Sequence, residues 1–123
     1  MDASYEFDAE HRVVIVAVQG ELTDEGLLEG YERMMSDPGF RSDYDQLVDL
    51  SGATGARITV EGVQALVARP AEFAPSSRRA IVIRSDLGFG MARMYALLRG
   101  GEAGLVRVFR DLDSAKDWLR EIR

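Results

Sequence analysis

No cysteine occurs among the 123 residues, and histidine occurs once, at His11. The first absence excludes disulfides, thiolate nucleophiles and cysteine-ligated zinc, and the second excludes a multi-histidine metal site within one chain. Lysine is as scarce: Lys116 is alone, the other cations are all Arg, and the net charge is −6. Arg is a neutral choice at a surface, so this bias carries no function. An acidic chain lacks the surplus cations that neutralise phosphates, which argues against sequence-independent nucleic-acid binding and against adhesion to anionic lipid. No apolar run approaches the ~20 residues needed to cross a bilayer. Met1-Asp2-Ala3-Ser4-Tyr5-Glu6 has none of the basic-then-apolar character of a secretion signal. The expectation is a cytoplasmic protein without metal or cofactor.

What is present is one domain's worth of core. A hydrophobic share of 46% against 29% charged residues suits a single compact unit over residues 1–123. Tyr5-Glu6-Phe7 alternates and Arg12 to Val18 is a β-branched run, so the two read as a hairpin turning through Asp8-Ala9-Glu10-His11, with Gly20 ending the second strand. Thr23-Asp24-Glu25 is a helix start, and Leu27, Leu28, Tyr31, Met34 and Met35 repeat at helical spacing as far as Pro38-Gly39. Tyr44 to Leu50 gives a third strand. Thr59 caps a second helix whose Val63, Leu66 and Val67 face inward before Pro70 stops it. Ala80 to Ile83 is a fourth strand, Met91 to Leu98 carries a third helix as far as Gly100-Gly101, and Leu105 to Phe109 is a fifth strand. An Asp among Asp111 to Asp113 caps a last helix along Ala115, Trp118, Leu119 and Ile122. The order β-β-α-β-α-β-α-β-α predicts an α/β fold with a five-stranded mixed sheet, strands two to five parallel and the first an antiparallel edge.

The most telling stretch runs from Leu47 to Leu66. Leu47-Val48-Asp49-Leu50-Ser51-Gly52 leads through a short loop to Ile58-Thr59-Val60-Glu61-Gly62-Val63, an order that resembles the STAS domains of the SpoIIAA-like group. There an Asp-Leu-Ser-Gly strand end precedes Asp-Ser-Ser-Gly at a helix start. Further pieces in matching order extend the resemblance over the chain, to SpoIIAA-like proteins also described as STAS/CRAL-TRIO-like. They are Gly20-Glu21-Leu22-Thr23, Arg79-Ala80-Ile81-Val82, Gly90-Met91-Ala92-Arg93-Met94, and Val108-Phe109-Arg110-Asp111 with Ala115, Trp118 and Leu119.

The resemblance implies strands side by side in chain order and main helices on one face, which leaves the other face to be covered by displaced helix segments or, more simply, by a second copy in a homodimer. It also implies a regulatory, protein-binding role like that of anti-sigma-factor antagonists, in which a kinase phosphorylates a serine at the second helix start. Val60 stands at that position here and has no hydroxyl. Thr59 is the neighbouring acceptor, and its ordinary work is capping.

Three functions follow as expectations. The first is a non-enzymatic domain that docks an unknown protein through the connections after the third and fourth strands, with Asp49, Ser51, Thr59, Phe89, Gly90, Met91, Met94 and Tyr95 as candidate contacts. Within it, Ser85-Asp86-Leu87-Gly88-Phe89-Gly90-Met91 reads as a connection whose glycines could bring amides to an anion. It lacks the glycine pattern of a dinucleotide site and the Lys of a phosphate loop. The second is a small apolar-ligand or lipid-binding module of CRAL-TRIO-like kind. It needs a pocket of a few hundred Å3 between the second helix, the third helix and the 70–77 loop, with Phe73, Phe89, Met91, Met94 and Tyr95 around it. The third is a hydrolase using Asp49 and Ser51, which has no histidine near enough in the fold to act as base. Arg78-Arg79 could bind a phosphate but reads more simply as an exposed pair before the fourth strand, and Asp43/Asp45 and Asp111/Asp113 lack the ligand spacing of a calcium loop.

Overall fold

In the computed structural model, residues 1–69, 73–100 and 105–122 are described. The β-branched run after His11 pairs as expected. Strand β1 (Asp2–Asp8) lies antiparallel to β2 (Val13–Thr23), from Asp2 opposite Gln19 to Asp8 opposite Val13. Gly20 does not end β2. It takes φ +85°, which glycine alone adopts without strain, and the register with the next strand shifts on either side of it. The glycine therefore marks a β-bulge, and the strand resumes to Thr23.

Thr23 then caps helix α1 (Asp24–Met35), its Oγ1 accepting the Gly26 N–H at 3.0 Å. Strand β3 (Asp45–Arg57) continues seven residues beyond Leu50, because the small-residue run Ser51 to Arg57 pairs in parallel with the resumed part of β2. The short loop expected there is strand. Helix α2 (Val60–Ala68) follows, and the expected stop at Pro70 lies outside the described residues. Strands β4 (Arg79–Val82) and β5 (Val106–Phe109) complete a sheet of order β1-β2-β3-β4-β5, with β2 to β5 parallel.

Helix α3 (Asp86–Gly100) begins five residues earlier than the apolar spacing indicated. Ser85 supplies the reason, its hydroxyl accepting the Gly88 N–H at 3.1 Å as an N-cap does. The expected end at Gly100 agrees, and Gly101 lies outside the described residues. Helix α4 (Leu112–Arg120) is capped by Asp111, which accepts from the Ser114 N–H and hydroxyl, bonds that hold its carboxyl below the usual range.

Strand alternation sorts the core into two faces. Val14, Val18, Leu50, Ile81, Ile83 and Val106 are buried on the side covered by α1, α2 and α3. Leu47, Ala80 and Val82 are buried on the other side with Ala115 and Trp118 of α4. Over β3 to β5 the second face is covered by α4. Arg78 fastens that helix: its Nη1 donates to the Trp118 carbonyl at 2.7 Å and its guanidinium lies 5.5 Å from the Trp118 ring centre. No helix among the described residues is long and apolar enough to cross a membrane.

Candidate functional site

Asp49 stands in mid-strand, not at the strand's end, because β3 runs on to Arg57. Its Oδ1 accepts both the Ser51 N–H at 3.0 Å and the Ser51 hydroxyl at 2.5 Å. The pair thus satisfies itself and its own backbone. His11 sits at the β1–β2 turn with Nδ1 2.7 Å from the Asp8 carboxylate, a pairing that raises the imidazole pKa and lowers that of Asp8. It is engaged there and gives Ser51 no base.

Val60 is the first residue of α2 and 47% exposed. Beside it Thr59 Oγ1 accepts the Gly62 N–H at 3.0 Å, as its capping role requires. The same hydroxyl donates to Asp24 Oδ2 at 2.7 Å, and the Thr59 N–H donates to Asp24 Oδ1 at 3.0 Å. The start of α2 therefore already holds a carboxylate, where the helix dipole favours negative charge. From sequence, Asp24 served only its own helix; its partner is 35 residues away.

The segment Ser85 to Met91 is not a connecting loop with free amides but the opening turns of α3. Gly90 is exposed, with open space where a side chain would be. Phe89 packs half-buried against the core, and the Arg110 guanidinium lies 4.1 Å from its ring centre. Met94 is half-buried without reaching the cavity described next, whereas Met91 and Tyr95, one turn apart, both line it.

That cavity, about 140 Å3, lies between the sheet and helices α1 to α3. Val16, Val48, Leu50 and Ile81 form its floor, with Leu27, Leu66, Met91 and Ala92 opposite. It is smaller than the few hundred Å3 expected, and it extends toward β1, with none of residues 73–77 of the 70–77 loop among its described walls. Phe73 of that loop is buried, edge-on to Phe40 at 5.3 Å, and is not among the walls. An apolar cavity of about 150 Å3 holds benzene, whereas drug-sized ligands need about 300 Å3 or more. By that measure the cavity is of single-ring size.

Polar residues also line the cavity: Tyr31, Arg33, Gln46, Arg79 and Tyr95. Arg79 corrects the expectation of an exposed Arg pair, being 9% exposed. Its Nε has no hydrogen-bond partner, and among the described residues no carboxylate pairs with it. Burial lowers its pKa, with the nearby Arg99 adding to the effect. A guanidinium nevertheless stays charged at any pH a protein meets. The Phe73 ring, 5.2 Å from the guanidinium carbon, offers a cation–π contact worth about 2 kcal/mol when desolvated. An unpaired buried ion costs several kcal/mol, so the contact does not offset it.

Arg99 is placed differently, its Nη atoms donating to the Val67 and Arg69 carbonyls at the end of α2 at 3.1 and 2.8 Å. Sequence reading named Arg79 but missed its burial, for which one signal was available. Arg79 and Ile81 share the period-two face of β4, which Ile83 continues just past the strand, so a buried isoleucine face carries the arginine inward with it.

A second depression, about 210 Å3, opens where β3 and β4 end, between Ala53 to Ala56 and Ile83 to Leu87. Leu87 on its rim is 63% exposed. No cluster of three potential metal ligands occurs among the described residues.

No protein-family model and no curated protein sequence matches the chain. Among solved structures it is similar to an uncharacterised protein of the DUF3478 family with a SpoIIAA-like fold, from Shewanella loihica PV-4. The TM-score is 0.56 at 20% identity, over 96% of this chain and 92% of that one. The strand order and the single antiparallel edge agree with the resemblance read from Asp49-Leu50-Ser51 onward. This chain therefore has the SpoIIAA-like fold.

Proposed function

We propose that the protein is a non-enzymatic binding domain that holds one small, largely apolar molecule between its sheet and helices α1 to α3. The cavity is the observation that carries this reading. The space is about half open, and its walls are chiefly apolar side chains, so a small apolar molecule seated there removes apolar surface from water. Of the functions expected from sequence, the ligand-binding one thus moves ahead, reduced from a lipid to a single ring. Asp49 and Ser51 are taken up with each other and support no hydrolase.

Protein docking is supported by a separate observation. Val60 and Leu87, both exposed, open the helices that follow β3 and β4 at the carboxyl edge of the sheet, where open α/β folds present their binding surfaces. With no hydroxyl at Val60 and with Thr59 bonded to Asp24, such docking works without the phosphoserine relay. A homodimer remains a separate proposal.

The ligand reading is tested on protein purified without detergent. Native mass spectrometry is expected to show a bound small molecule, and, after the protein is stripped, toluene is expected to raise its melting temperature. Unliganded protein in the first measurement together with no toluene effect in the second would end the reading.

A further inference from the structure

We propose that the cavity selects an aromatic monocarboxylate about the size of benzoate, its carboxylate pairing with the Arg79 guanidinium and its ring lying in the apolar chamber. The inference rests on the small-ligand reading above and adds the chemistry of the ligand to it.

Three observations lead to it. Arg79 is nine-tenths buried at the wall of the cavity, and no acceptor among the described residues bonds its guanidinium, although its Nε, like that of Arg99, is itself closed to solvent. Among the described residues no carboxylate pairs with it, and arginine cannot escape by losing its proton. Phe73 offers it a ring face, which accepts no planar pair of N–H bonds. A carboxylate does, in the bidentate geometry for which a guanidinium is shaped. Tyr31 and Tyr95 on the same wall bring hydroxyls that can donate to such an anion.

Charge and volume set the rest. Arg33, also at the cavity wall, pairs with Glu29 at 3.3 Å, and the neighbouring Arg99 has its Nη groups committed to carbonyls at the end of α2, so the Arg79 guanidinium is the one left for an anion. It balances a monoanion; a phosphate dianion would leave charge unpaired against Val48, Leu50 and Ile81. A volume of about 140 Å3 admits one ring, and Met34 and Met91 give it polarisable walls.

Wild-type protein and Arg79→Met are titrated with benzoate and with nitrobenzene, its neutral isostere, while the methyl resonances of Met34 and Met91 are followed by NMR. The wild type is expected to bind benzoate at least about tenfold more tightly than nitrobenzene, equivalent to about 1.4 kcal/mol, with both methyls moving. In Arg79→Met the preference is expected to reverse. Equal or tighter binding of nitrobenzene by the wild type would overturn the carboxylate while leaving the enclosed-molecule reading intact. Failure of both probes would overturn both. If Arg79→Met does not fold, the wild-type ratio decides alone.

Discussion

Gly62 occupies a helix position where alanine would ordinarily be better by up to about 1 kcal/mol. A Cβ there would lie 2.0 Å from Asp24 Oδ1 and 2.1 Å from Cγ, and that carboxylate holds the two bonds to Thr59. Asp24 must swing away to admit the methyl group. Hydrogen bonds to a charged group contribute about 1.5–3 kcal/mol, more than the helix gains, so Gly62→Ala is expected to destabilise by about 1 kcal/mol. With Asp24→Ala already made, the same change is expected to stabilise. Urea unfolding of the four proteins of this cycle checks the reversal of sign, and a stabilising Gly62→Ala in the wild type would refute the clasp. Thr59 as a cap was legible in sequence because the bond spans three residues. Asp24 was not, because proximity across 35 residues is a product of the fold.

Two glycines near the start of α3 show how an element's boundaries can be hidden. Gly88 and Gly90 made Ser85 to Met91 look like a loop, although Ser85-Asp86 is itself a helix-start signal. Their surroundings differ. A Cβ on Gly88 would meet Ile83 Cδ1 at 2.3 Å and Ser85 Oγ at 2.6 Å, whereas at Gly90 nothing lies within 4 Å. Gly88 is thus the price of bringing α3 close to the end of β4. Gly90→Ala is expected to stabilise by about 0.5–1 kcal/mol and Gly88→Ala to destabilise by about 1–3 kcal/mol, both by urea unfolding. Equal effects would mean that the helix does not approach Ile83 as described. The length of β3 was illegible for the opposite reason. Ser51 to Arg57 has little strand propensity of its own, and a ladder with β2 beyond the Gly20 bulge makes it a strand.

At the scale of the whole molecule, element order was readable, since five apolar strand segments separated by capped helices leave few topologies open. The cavity was not, because it is a volume between elements far apart in sequence, with walls from Met1 to Val106. Its existence can be tested without any ligand. Ala92 lines it from α3, half-buried, so Ala92→Leu places three further carbons in the space. In a filled core such a change strains its neighbours by about 1–3 kcal/mol. In a vacant cavity each buried methylene contributes up to about 0.8 kcal/mol. Ala92→Leu is therefore expected to raise the stability of ligand-free protein by about 1–2 kcal/mol and to abolish benzoate binding. Trp118, the chain's single tryptophan, is buried between α4, which carries it, and the opposite face of the sheet, so its fluorescence reports unfolding without sensing the cavity directly. A fall in the urea midpoint of Ala92→Leu would show that the space between the sheet and α3 is already full, and with it the binding site would go.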